Sequence, residues 1–113
     1  MFSSCRELIS LNITNFDTHL VQDMEQMFYN CKLIKTLDFS NFDTSLVKNM
    51  YRMFGGCNQL LYLNLSTFNT KSVSNMVQMF KDCYSIISLN IDSFDTSKVN
   101  NMFGMFSNCS SLS

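Results

Sequence analysis

Cys31-Lys32-Leu33-Ile34-Lys35-Thr36-Leu37-Asp38-Phe39-Ser40-Asn41-Phe42-Asp43-Thr44-Ser45-Leu46-Val47-Lys48-Asn49-Met50-Tyr51-Arg52-Met53-Phe54 is one statement of a phrase that returns every 26 residues. Its leading cysteine recurs as Cys5, Cys57, Cys83 and Cys109. Its closing phenylalanine recurs as Phe2, Phe28, Phe80 and Phe106, and Met50 recurs as Met24, Met76 and Met102. A fixed period of this length marks an array of supersecondary units. No unit can bury its apolar face alone, and stacking buries all of them as continuous columns. The chain reads as a single repeat domain over 1–113, with repeats 5–30, 31–56, 57–82 and 83–108 and partial repeats 1–4 and 109–113.

Composition narrows the function classes. A net charge of −1 leaves no basic footprint, so no nucleic-acid partner is expected. No apolar run reaches the length of a bilayer span, so this segment is not expected to insert into a membrane. With 46% hydrophobic residues, no proline and only three glycines, the chain can fill a core and is no disordered linker. Met1-Phe2-Ser3-Ser4-Cys5-Arg6-Glu7 lacks the basic start and apolar stretch of a signal peptide. Met1 is in phase with Met27, and Leu112 with Leu8 and Leu60. That phasing predicts a slice of a longer array, the rival being a short protein whose ends pair with something.

Two periodicities divide each unit. Four apolar columns, Leu8/Ile34/Leu60/Ile86, Leu11/Leu37/Leu63/Leu89, Ile13/Phe39/Leu65/Ile91 and Phe16/Phe42/Phe68/Phe94, write the phrase L-x-x-L-x-L-x-x-F. Its alternating part predicts one short parallel strand per repeat, at Ser10–Thr14, Thr36–Ser40, Tyr62–Ser66 and Ser88–Asp92. The second half places Val21, Met24, Met27 and Phe28 at offsets 0, 3, 6 and 7, which predicts one face of a short helix. The pairs Asp17-Thr18, Asp43-Thr44, Asn69-Thr70 and Asp95-Thr96 suit the helix start, and Gly55 suits a helix stop in one copy. The expected fold is α/β: a leucine-rich-repeat solenoid of 26-residue repeats, each with one short parallel strand and one short helix.

The stretch from Leu37 to Cys57, with its L-x-L-S-x-F-D-T-S-x-V-x-N-M-x-x-M-F-x-x-C pattern, resembles the BspA-like leucine-rich repeat. That family includes a mycoplasma-type surface-lipoprotein repeat of unknown function. The resemblance runs through the whole chain. Departures are small: Asn69 stands in the aspartate column, and Thr67 and Ser93 stand in the column of Asn15 and Asn41. It implies a cell-surface or secreted protein used in adhesion or other protein contacts, with no catalytic residues to carry over. The missing signal sequence keeps a cytoplasmic location open.

Candidate sites follow from the columns. The outward strand positions Ser10, Asn12, Thr14, Thr36, Asp38, Ser40, Tyr62, Asn64, Ser66, Ser88, Asn90 and Asp92 are expected to line the open, concave face where solenoids bind. The cysteines have neither the knuckle spacing nor the histidines of a zinc site. They read as buried free thiols acting as small hydrophobes, with disulfides or a metal as the alternatives. The methionine and phenylalanine columns read as core. His19 has no in-phase partner and reads as solvated surface. One aspartate per repeat at Asp17, Asp43 and Asp95 falls short of a calcium shell. Sequons at Asn12, Asn64 and Asn108 are cheap in an asparagine-rich chain. No catalytic, metal or cofactor site is expected.

The expected function is therefore a non-catalytic, adhesin-like module that binds a protein or cell-surface ligand through its concave strand face. The alternative is an intracellular interaction module that associates with itself end to end through uncapped faces.

Overall fold

The computed structural model describes residues 2–112, so the readings that rest on Met1 and Ser113 lie outside the described residues. Residues 26 apart in sequence lie one above another, and the clearest sign is the phenylalanine column. Phe2, Phe28, Phe54, Phe80 and Phe106 stack ring on ring with centroids 5.6–5.8 Å apart and planes within 11° of parallel. Phe39 enters this stack edge-on, meeting Phe28 at 5.7 Å and Phe54 at 5.5 Å. Around these rings Met50, Met53, Cys57, Leu60, Leu65, Met76, Met79 and Ile86 are wholly buried. Burying one such side chain is worth about 1.5–3 kcal/mol, and almost all of that gain is made between units.

The helix expected in every repeat is absent. The described residues contain no helix, and strand occurs only at β1 (Tyr62–Asn64) and β2 (Ser88–Asn90). The chain is therefore not an α/β leucine-rich-repeat solenoid with a strand and a helix in each repeat. The reason lies in where the amides go. Met24, Gln26, Phe28 and Asn30 donate forward to the carbonyls of Asn49, Tyr51, Met53 and Gly55 in the next unit, at 2.8–3.0 Å. Met27, Tyr29 and Cys31 donate back three residues, to Met24, Gln26 and Phe28, at 3.1–3.3 Å. No amide in this stretch is left for the i→i−4 bond that makes a helix.

The dihedrals exclude a helix as well. Gln26, Arg52 and Gln78 have φ of 52°, 50° and 54°, and Asn30 and Asp82 have φ of 59° and 61°. A right-handed helix requires negative φ throughout. Each of these residues sits third in a four-residue turn, where a type II turn wants φ above zero. Gly56, at φ +77°, also meets its neighbour closely, because a Cβ there would displace the Asn30 amide oxygen. The segment is thus a run of four-residue turns closed by i→i−3 bonds, stitched to its neighbours by the parallel bridges Asp23–Asn49, Asn49–Asn75 and Asn75–Asn101. Such turns bring side chains inward at the same offsets a helix face would.

On the opposite side, β1 and β2 pair in parallel, with Tyr62 opposite Ser88, Leu63 opposite Leu89 and Asn64 opposite Asn90. Both strands are shorter than expected, and the strands expected at Ser10–Thr14 and Thr36–Ser40 are not formed. The shortening has a local cause. Asn64 Oδ1 accepts the Ser66 N–H at 3.0 Å and Asn90 Oδ1 accepts the Asp92 N–H at 3.1 Å. An amide bent back onto a side chain two residues earlier makes an Asx turn and leaves the ladder.

Candidate functional site

The outward columns hold the residues singled out for binding. Ser10, Asn12, Thr36, Asp38, Ser40, Tyr62, Asn64, Ser66, Ser88 and Asp92 are exposed, while Thr14 and Asn90 are half-buried. In β1 the side chains alternate as the period requires: Tyr62 and Asn64 face solvent and Leu63 between them is buried. Register brings Tyr62 beside Ser88 and Asn64 beside Asn90. No such pairing joins the columns of the first two repeats. There Asn41 Nδ2 donates to the Thr14 carbonyl at 2.8 Å.

Part of this polar surface is structural. Asn12 accepts from the Thr14 N–H and hydroxyl, and Asp38 accepts from the Ser40 N–H at 2.9 Å. Donation by the Ser40 amide holds the Asp38 carboxyl below its ordinary value. The Asp/Asn column read as helix starts does the same work, with Asp17, Asp43, Asn69 and Asp95 accepting the N–H two residues on. The threonine after it has a role that reading the sequence missed. Thr44 Oγ1 accepts the Asn69 N–H at 2.8 Å and donates to the Asn69 carbonyl at 3.1 Å, and Thr70 clasps Asp95 in the same way. Its signal was available: threonine occupies all four positions 18, 44, 70 and 96.

The cysteines form a column of unpaired thiols. Cys31, Cys57, Cys83 and Cys109 each donate Sγ–H to the carbonyl of Phe2, Phe28, Phe54 and Phe80, at 3.0–3.3 Å. Burial pushes the Cys31 thiol up to about 11 and Cys83 up to about 12, which suppresses the reactive thiolate. Among the described residues, no three His, Cys, Asp or Glu side chains gather to hold a metal ion. His19 pairs with Asp17 in full solvent; that contact raises the histidine and lowers the carboxyl. Among the described residues, no helix is long and apolar enough to cross a membrane.

Two further features lie off the outward columns. A solvent-open hollow of about 460 Å³ is floored by Phe16, Val21, Met24 and Met27 and rimmed by Asp17, Asp23 and Glu25. On the turn side, Tyr29, Arg52, Gly55, Gly56, Lys81 and Asp82 line a second, much smaller one.

The family model described as a Mycoplasma protein of unknown function, DUF285, matches residues 1–113. The chain belongs to this family. No curated protein and no solved structure matches it. For a DUF285 chain, then, a functional reading has to rest on its own surface.

Proposed function

We propose that the chain is a non-catalytic contact module, adhesin-like and presented at the cell surface or secreted, which meets a protein or surface ligand through the outward columns around β1 and β2. The observation that supports this is where the repeats differ from one another. Leu11, Leu37, Leu63 and Leu89 hold one inward column constant, whereas the neighbouring outward column reads Ser10, Thr36, Tyr62 and Ser88. Tyr62 is 56% exposed, and Ile87, on the residue before its partner Ser88, is 49% exposed. Exposed aromatic and aliphatic groups on a polar, nearly uncharged face form the kind of centre on which protein contacts build.

The test is binding of labelled chain to whole cells before and after Tyr62→Asp combined with Asn64→Asp. Aspartate at 64 keeps the turn acceptor, as Asp38 does in the same column. Binding should fall at least tenfold with the thermal midpoint unchanged. Equal binding by the variant overturns the outward-face reading.

A second reading, self-association through the end units, is favoured by the apolar hollow and by three side chains of the last repeat. Met102, Phe103 and Phe106 are 48%, 73% and 42% exposed. Sedimentation equilibrium separates it from the first: a mass that rises with concentration and reverts in Phe103→Lys supports it, and a constant 13.1 kDa species refutes it.

A further inference from the structure

The repeats are so regular that a cluster of departures from them stands out. Position 55 belongs to the column Ser3/Tyr29/Gly55/Lys81/Ser107, and position 52 to Gln26/Arg52/Gln78/Gly104. Arg52 stands between the glutamines of its column, Gly55 and Lys81 belong to a column that changes in every inner unit, and all three line one solvent-reached hollow with Tyr29, Gly56 and Asp82. Gly55 sits at a close approach on the wall of the hollow: a side chain there would press on the Tyr29 ring and the Arg52 Cβ, at 3.2 and 3.4 Å, and narrow it. The space is about 30 Å³, the share of one water molecule or one ligand oxygen.

The Arg52 guanidinium is held in place from three directions. It lies over the Tyr51 ring at 5.0 Å and the Tyr29 ring at 5.5 Å, and its Nε donates to Gln78 Oε1. None of these contacts uses the terminal Nη groups. Among the described residues neither Arg52 nor Lys81 is ion-paired. Asp82, the one carboxylate on the rim, is engaged elsewhere: its Oδ1 accepts from Asn108 Nδ2 at 2.7 Å and from the Tyr84 hydroxyl at 3.4 Å. An arginine oriented by aromatic faces, with its planar fork unspent and a second cation beside it, is arranged for two parallel N–H···O bonds to an oxyanion.

We infer that the notch lined by Tyr29, Arg52, Gly55 and Lys81 is a binding site for an oxyanion head group, a carboxylate or a phosphate. One ligand oxygen enters the hollow that Gly55 helps to line. The Arg52 fork takes the group from one side and the Lys81 ammonium from the other, while Tyr29 and Tyr51 hold the fork in position. The site is on the turn side and does not depend on the outward columns proposed above for a partner.

The repeat supplies its own control variants. Arg52→Gln places the residue of Gln26 and Gln78, which the stack already accommodates, and Lys81→Ser and Gly55→Ser place the residue of Ser3 and Ser107; Gly55→Ser also presses on Tyr29 and Arg52, so its thermal midpoint is read beside its titration. The experiment titrates the 113-residue chain with sodium phosphate and with sodium acetate, following backbone amides by NMR, with sodium chloride at matched ionic strength as reference. Saturable shifts centred on Gly55 and Gly56 are expected with phosphate, with acetate or with both. The tighter anion identifies phosphate or carboxylate as the preferred group. Arg52→Gln and Lys81→Ser should each weaken saturation about tenfold or more, and Gly55→Ser should abolish it. The same shifts in chloride, shifts spread evenly over all lysines, or an unchanged titration of Arg52→Gln would each overturn the assignment. Thermal midpoints of the variants serve as the folding check.

Discussion

The second and fourth repeats are built from nearly the same phrase and do not share the same fate. Met50 and Phe54 are 0% exposed, whereas their counterparts Met102 and Phe106 are 48% and 42% exposed. Val47 is buried and Val99 only half so. The residues match; the neighbours differ. The second repeat has units on both sides, and beyond the fourth the described chain supplies only residues 109–112. Burial here is a property of the interface between units, as expected for a quasi-one-dimensional array.

The contrast can be broken most forcefully at the phenylalanine column. Phe54→Ala removes a ring stacked on both sides and met edge-on by Phe39, and should cost about 3–5 kcal/mol. Phe106→Ala removes a ring stacked on one side only and should cost about 1 kcal/mol, since much of it is already wet. Urea unfolding of both variants measures the difference, and equal losses would mean that the last repeat is covered in solution.

Next come the threonines. Thr70→Val strips both partners from the Asp95 backbone and should cost about 1–3 kcal/mol. Thr96 is exposed, and Thr96→Val should stay within about 0.5 kcal/mol. The same unfolding assay decides it.

The thiols give a smaller, pH-dependent effect. Cys31 and Cys83 are raised in the fold from an ordinary 9.0 to about 11 and about 12. Above pH 9 the unfolded chain therefore releases protons that the folded chain keeps. Stability should fall as pH rises through 9 and level off above the folded values. In native conditions Cys5 and Cys109 should react with a maleimide well before Cys57 and Cys83. Uniform labelling would contradict the ladder.

The smallest effect should erase the contrast. Asp43 and Asp95 sit in different repeats, yet each is lowered by hydrogen bonds from the residue two ahead, Ser45 and Ser97. These turns are local and should ignore stacking. Both carboxyls should titrate below the ordinary 3.8. Their small contribution is present above that value and lost as pH falls through the lowered ones. NMR titration of the two side chains checks this, and a marked difference between them would show that stacking reaches the turns.

Much of this organisation was legible in the sequence. The period placed Cys57, Leu60, Leu63 and Phe54 in the core, and all are buried. Of the column Asn12/Asp38/Asn64/Asn90, read as outward, the first three are exposed and Asn90 is half-buried. What failed was the inference from Val21, Met24, Met27 and Phe28 to a helix, because turns closed by i→i−3 bonds advance by three residues much as a helix face does. The discriminating sign lay between those residues. Position 30 and its counterparts read Asn30, Gly56, Asp82 and Asn108, residues that tolerate positive φ, and a helix has no use for them. At position 26 only Gly104 gives the same hint, while Gln26, Arg52 and Gln78 adopt positive φ because the stack imposes it. The notch at Gly55 was less legible, since a departure from a repeat acquires meaning only when its neighbours in the adjoining units are known.

The forward amides carry one more implication. In each of the first three repeats, four backbone N–H groups point toward the next unit and are answered there by carbonyls pointing back, while a single bond, such as Lys48 N–H to the Gln22 carbonyl, runs the other way on that side. The peptide dipoles therefore do not cancel, and the turn side has an electrical direction. It is opposite to that of an α-helix, with the positive sense toward later residues. A column with such a direction that met a copy of itself front to front would set carbonyls against carbonyls. The direction therefore favours head-to-tail over front-to-front pairing along that axis, an arrangement without a closing two-fold.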